Sequence, residues 1–152
     1  MVEKIKTEKE IYIKGALEIS REKIEAVIDA YKRGNYGQVL SSMYYAYFHI
    51  IKALLYKKGF DPKSHEGVYT MMNLHFIKSG ILNKKFSRFF ERLHKNREIA
   101  DYNPVAPKFD KKDADMFINE FAELTPEILR LLNNFRTQRN KIMENIKLLK
   151  NL

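Results

Sequence analysis

The chain has 152 residues, 45% of them hydrophobic, no cysteine and a net charge of +9. Its length suits one domain with a core that stands without disulfides or a structural metal. The lack of cysteine excludes a disulfide framework, a Cys-based zinc site and a thiol nucleophile. The positive charge favours an anionic partner (nucleic acid, a nucleotide or an acidic protein) or marks only a lysine-rich solvated surface.

Met1 to Glu10 is mostly charged and lacks the apolar stretch of a signal peptide. The longest uncharged run, Gly34 to Ile51, carries Asn35, Gln38, two serines and several tyrosines. It reads as a buried soluble helix rather than the ~18–20 apolar residues of a membrane span. A cytoplasmic protein with no membrane segment is expected.

The spacing predicts an all-α chain. A first helix is expected over about Lys4 to Lys32, with Ile13, Leu17, Ile24, Val27, Ile28 and Tyr31 on one face. Gly34 ends it. A second, over about Tyr36 to Lys58, carries Leu40, Met43, Tyr44, Tyr47, Ile51, Leu54 and Leu55 on one side. Ser42, Ala46 and Ala53 lie on its other side, the pattern of a central helix packed on several faces. Asp61 to Ser64 is a turn with Ser64 as N-cap, and a third helix is expected over His65 to Lys78, with Val68, Met71, Met72 and His75 inward. A fourth runs from near Asn83 to Asp101, stopped by Pro104 and Pro107. A fifth begins at Asp110 and presents Met116, Phe117, Phe121 and Leu124, with Thr125-Pro126 either kinking or restarting it. The remainder, to Leu152, is amphipathic and basic. Long helices with short joints predict antiparallel neighbours in a single up-and-down bundle.

One residue breaks the local rule. On the fourth helix Phe86, Phe89, Phe90, Leu93 and Ala100 share an arc of about 100°. Arg88, Arg92 and Lys95 lie opposite, but Arg97 falls inside the apolar arc. A buried, unpaired guanidinium costs several kcal/mol. Asp101 at i+4 is its local partner, in the weaker Arg-then-Asp helix order, and Tyr102 lies beside it. Five donors in a fixed fork suit a phosphate or carboxylate. The alternative is an ordinary buried Arg–Asp pair.

His49, His65, His75 and His94 contain no i,i+3 or i,i+4 pair, and a single Glu91-x-x-His94 step is not a di-iron pattern. No metal and no cofactor is expected, and no phosphate loop or nucleophile elbow is present. Tyr44 and Tyr47 fall on the core stripe. Tyr45 and His49 share another face and are candidates for a cleft or a dimer contact, and His65 either caps its helix or lines the cleft. Two basic clusters, Lys84 to Arg97 and Arg130 to Lys150, could meet phosphates, and the second could dock on a partner.

Tyr44-Tyr45-Ala46-Tyr47-Phe48-His49 through Leu55, then Gly59 to Val68, His75 to Leu82, and Arg97-Glu98-Ile99-Ala100-Asp101-Tyr102 together resemble the short, stand-alone branch of the HEPN superfamily over about Gly34 to Leu131. The resemblance implies an up-and-down four-helix bundle with an additional short helix, often dimeric, with residues 132–152 a basic C-terminal extension beyond it, and a frequent pairing with a small nucleotidyltransferase in toxin–antitoxin systems. Many such proteins are metal-independent ribonucleases with an arginine followed, after four to six residues, by a histidine. Arg97 matches the arginine, but Tyr102, Asn103 and Pro104 stand where the histidine should, and no histidine follows His94. Related partner enzymes modify a tyrosine near this motif, and Tyr102 lies in a similar neighbourhood.

The expected function is therefore a HEPN-type RNA- or nucleotide-binding protein, a homodimer paired with a nucleotidyltransferase. Arg97, Asp101, Tyr102, Tyr45, His49 and His65 are the candidate ligand-binding residues. The alternatives are a divergent ribonuclease toxin with Arg97 as its catalytic candidate, and a structural helical module that binds no nucleic acid.

Overall fold

The computed structural model describes the backbone of residues 2–152 and the side chains of residues 8–152. Among them there is no strand, and six helices follow in order: α1 (Val2–Lys32), α2 (Tyr36–Lys57), α3 (His65–Met72), α4 (Lys84–Tyr102), α5 (Lys111–Arg130) and α6 (Arg136–Lys150). The centre belongs to α2, whose buried residues include Leu40, Met43, Tyr44, Tyr47, Ile50, Ile51 and Leu54 together with Ser41, Ser42, Ala46 and Ala53. A helix with bulk on one side and small residues on the other accepts neighbours on both, and α1, α4 and α5 pack against it. These four form the bundle, α3 is the short extra helix against α2 and α4, and α6 lies on α1 and α5. Ile142, Ile146 and Leu149 of α6 join the common core.

The joints follow from local chemistry. Gly34 has φ +73, a conformation that L side chains avoid, and turns the chain from α1 into α2. Asn35 then caps α2 by accepting from the Gln38 amide at 3.3 Å. Asp110 and Asp113 form a reciprocal capping box at the start of α5, both bonds 2.9 Å. Lys57 Nζ donates to the Leu131 carbonyl at 2.8 Å, so the end of α2 satisfies the end of α5.

Three expectations are corrected. The third helix is not regular to Lys78: after Met72 it passes through a π-helical turn, Asn73–Ile77. The wider turn shifts the inward position, so Phe76 is buried while His75 is half-exposed and stacks on Phe60, centroids 4.2 Å apart. Pro126 does not restart the helix: α5 is continuous to Arg130 with the proline inside it. Leu124, Thr125, Ile128 and Leu129 are buried on both sides of it, and that packing outweighs the local cost of proline. Met116 is 56% exposed, not core; Phe117, Ile118, Phe121 and Ala122 carry the buried face instead. The basic C-terminal segment is a helix separate from α5, because a turn parts Leu131 from Arg136.

Phe89 is fully buried and meets Tyr47 edge-on at 5.2 Å and Phe117 at 6.2 Å. Replacing it with alanine leaves a cavity between α2, α4 and α5. The Phe89→Ala protein should lose about 3–5 kcal/mol of unfolding free energy in a denaturant titration, with an unchanged m-value.

Candidate functional site

The loop before α3 is held from two sides. Asp61 accepts from the Tyr12 hydroxyl at 2.9 Å and from Lys63 at 2.8 Å, and lies 3.6 Å from Lys52. These partners, Lys63 foremost, hold its carboxyl below the usual range, and burial with the Asp61 contact pushes the Tyr12 phenol up to about 12. Ser64 Oγ then accepts from the Gly67 amide at 3.0 Å and starts α3. A Cβ on Gly67 would come within 3.1 Å of Pro62 Cβ and 3.2 Å of Ser64 Oγ, so the turn is closed around a glycine. The cap fixes His65 as the first helical residue.

From there the His65 ring reaches back to the bundle. Its Nδ1 is 2.9 Å from the Tyr44 hydroxyl, and its Nε2 is 2.8 Å from Glu91 Oε1. His94, on α4, stacks on it with ring centroids 3.5 Å apart and planes 11° from parallel. His94 Nε2 is 3.1 Å from Glu98. Tyr44 is buried, which pushes its phenol well up, and its ring is also stacked with Phe90 at 5.8 Å. Three helices thus bring a tyrosine, two imidazoles and two carboxylates together.

One turn further along α4, the Arg97 side chain is only 12% exposed. Its guanidinium carbon stands 4.9 Å from the Tyr44 ring, 5.6 Å from Tyr45 and 5.9 Å from Tyr102. Asp101 is a loose partner: the nearest approach is 3.8 Å, and its Oδ2 accepts from Ser41 of α2 at 3.1 Å. Among the described residues, four buried side-chain polar atoms have no partner, and two of them, Arg97 Nε and His94 Nδ1, lie three residues apart on α4. Buried polar atoms are nearly always satisfied, so two orphans on adjacent turns mark this spot as under-paired.

Of the residues singled out from the sequence, the structure gathers Arg97, Asp101, Tyr45 and Tyr102 around one guanidinium and joins His65 to them through Tyr44. Tyr102 is 73% exposed, at the rim. His49 stands apart: its Nδ1 is 2.8 Å from the Tyr45 carbonyl and its charged neighbours are Lys23 and Lys52. Burial, then those lysines, lowers its pKa. Sequence reasoning missed Ser41, Tyr44, Glu91 and His94 as members of the cluster. His94 carried a faint signal, one turn before Arg97, but its partner His65 stands on a different helix. No group of three His, Asp or Glu side chains close enough to hold a metal ion occurs among the described residues. No described helix is long and apolar enough to cross a membrane.

Burial, then the neighbouring His65, lowers the pKa of His94 from its ordinary 6.5. The unfolded chain therefore takes up this proton first as pH falls. The contribution to stability is full above pH 6.5 and is lost as pH drops from there through the depressed folded value. In thermal melts across that window the wild type should lose more stability than His94→Gln, whose remaining slope includes the similarly lowered His49. Equal slopes would show that His94 is not held neutral by its surroundings.

The HEPN domain family matches residues 13–128 of the chain, beginning within α1 rather than near Gly34. A candidate toxin of Methanocaldococcus jannaschii is 30% identical over 122 residues, 77% of this chain and 91% of that protein. A second candidate toxin of the same organism is 29% identical over 104 residues, 68% of this chain and 70% of that protein. A UPF0332 protein of Thermotoga maritima is 28% identical over 97 residues, 64% of this chain and 73% of that protein. With its helical bundle and a family match over most of its length, this chain belongs to the HEPN family.

Proposed function

We propose that the chain is a HEPN-type, toxin-like protein that binds RNA or a nucleotide phosphate at Arg97, with Asp101 and Tyr102 at the rim, and that it acts as a homodimer paired with a small nucleotidyltransferase. The observation that carries the binding reading is the Arg97 guanidinium, nearly buried, loosely held at 3.8 Å and framed by three tyrosine rings. A guanidinium in a partly desolvated aromatic frame gains more from a phosphate oxygen than one in water. The tyrosine rings offer faces for a base. The toxin-like assignment is supported by the family and by the two similar candidate toxins. Dimer and partner enzyme follow from the family resemblance, and the exposed Tyr102 and Val105 leave an uncovered apolar edge beside the site.

One observation favours a second, enzymatic reading. The histidine that sequence spacing lacks after Arg97 is replaced in space by two imidazoles on its other side, His94 and His65. Metal-independent cleavage needs a group that takes the 2′-hydroxyl proton and one that protonates the leaving oxygen. An imidazole suits either role near neutral pH.

Binding and cleavage of RNA by wild type, Arg97→Ala, Arg97→Lys and His94→Gln, without metal and at two salt concentrations, separate these readings. Binding should weaken by roughly tenfold or more in Arg97→Ala, the scale of one charge-assisted hydrogen bond. Arg97→Lys should recover part of it as a point charge without the fork. Cleavage that disappears in both Arg97→Ala and His94→Gln would establish the enzymatic reading. If no RNA or nucleotide binds to wild type, the nucleic-acid assignment falls.

A further inference from the structure

Beside the histidine pair lies a groove of about 1020 Å³ between α3 with its π turn and the start of α4. Tyr69, Asn73, Leu74, Lys78, Lys84 and Arg88 are among its lining residues, and no Asp or Glu is. The π turn leaves Leu74 52% exposed in its wall, and such turns often mark functional positions. None of Lys78, Lys84 or Arg88 has a carboxylate within 4.0 Å among the described residues, whereas Arg92, one turn on, is paired with Glu120 at 2.7 Å.

The start of α4 adds an independent sign. Its first turn holds Lys84 and Lys85 and no acid. Cations at the positive end of a helix dipole are unfavourable, and an anion placed there would offset the cost. Local chemistry that opposes the helix dipole is consistent with a ligand outside the chain.

Ring contacts link the groove to the Arg97 site, which lies on another face of α4. Tyr69 lines it, and its ring lies nearly parallel to His65, 9° off at 6.2 Å. His65 stacks on His94, one turn from Arg97. Lys84 to Arg97 spans roughly 20 Å of helix at ~1.5 Å per residue. The single acid on the way, Glu91, is tied to His65 at 2.8 Å.

We propose that this groove is a second RNA subsite: a single-stranded chain with one phosphate at Arg97 continues along α4, its bases against Tyr69 and Leu74 and its phosphates at Lys84, Arg88 and Lys78. The inference rests on the phosphate-binding reading of Arg97 and extends it from a nucleotide to a strand. A cation-lined groove with one aromatic ring and apolar walls suits unpaired bases and a backbone. An A-form duplex presents its bases stacked and paired and would leave the wall unused.

The test compares a labelled mononucleotide with an unpaired oligoribonucleotide of about six nucleotides, a length within the usual range of single-strand sites. Each is titrated against wild type, Arg97→Ala and the double variant Lys84→Ala, Arg88→Ala. These groove positions point to solvent, so the double variant should melt with wild type. The oligomer should bind wild type several-fold more tightly than the mononucleotide, and the double variant should lose that advantage while keeping mononucleotide affinity. Its slope of log affinity against log salt should fall by about 1.4, near 0.7 for each single-strand phosphate that no longer meets a cation. Arg97→Ala should weaken both ligands. An oligomer bound equally by wild type and double variant, with Arg97→Ala still impaired, would overturn the groove and leave the Arg97 site standing. A double variant unchanged toward RNA but unable to retain an acidic protein partner would assign the groove to protein instead. Failure of wild type to bind either ligand would remove the reading on which both rest.

Discussion

Helix α2 is covered along most of its length, and the rest of the molecule is arranged around that burial. Its large residues Leu40, Met43, Tyr47, Ile50, Ile51 and Leu54 are essentially inaccessible, and so are Ala46 and Ala53 on the other side. An element that turns so little surface to water needs several neighbours. Two of its polar side chains are satisfied by those neighbours: Tyr47 donates to the Phe86 carbonyl at 2.8 Å, and Ser41 donates to Asp101 at 3.1 Å. Ser20 of α1 donates in turn to the Ala46 carbonyl at 2.8 Å. Hydrogen bonds of this kind add little net stability each but are costly to leave unmade, so they fix how the helices sit.

The candidate site is a consequence of that arrangement. α2 supplies Ser41, Tyr44 and Tyr45, and α4 crosses it with Glu91, His94, Arg97 and Asp101 on adjoining turns. α3 is anchored by its cap so that His65 closes the gap. The result departs from the usual arrangement of a buried guanidinium, which is paired and fully bonded. Here the carboxylate is drawn toward Ser41, the Nε is unpartnered, and tyrosine rings take much of the space a counter-ion would fill. Next to this cation His94 lies face to face with His65, and burial, then that neighbouring ring, lowers its pKa.

Charge is distributed to match. Two of the three acids of α4 are engaged with its histidine and that ring's stacking partner, Glu91 with His65 and Glu98 with His94. The lysines and arginine at its start are left to solvent and the groove. A net charge of +9 alone says little about where an anion would sit. The pairing of some cations and the isolation of others does.

Much of the fold was legible in the sequence because it rests on local rules. Helical spacing of apolar residues, Gly34 at a turn, Ser64 as a cap and Asp110 at the start of α5 act within a few residues, and each appears in the structure in that role. The oddity of Arg97 was also legible, since a charge inside an apolar arc is visible from periodicity alone. Where local rules misled, longer contacts had overruled them. Pro126 stays in α5 because flanking residues are buried, and the π turn after Met72 replaces His75 by Phe76 at the core. The sequence by itself determined the helices, their order and the anomalous arginine. Only the tertiary structure decided that His65 and His94 stack, that Tyr44 joins them to Arg97, and that Asp101 leans toward Ser41. These contacts join residues 21 to 60 positions apart, set by how α2, α3 and α4 pack rather than by any spacing along the chain.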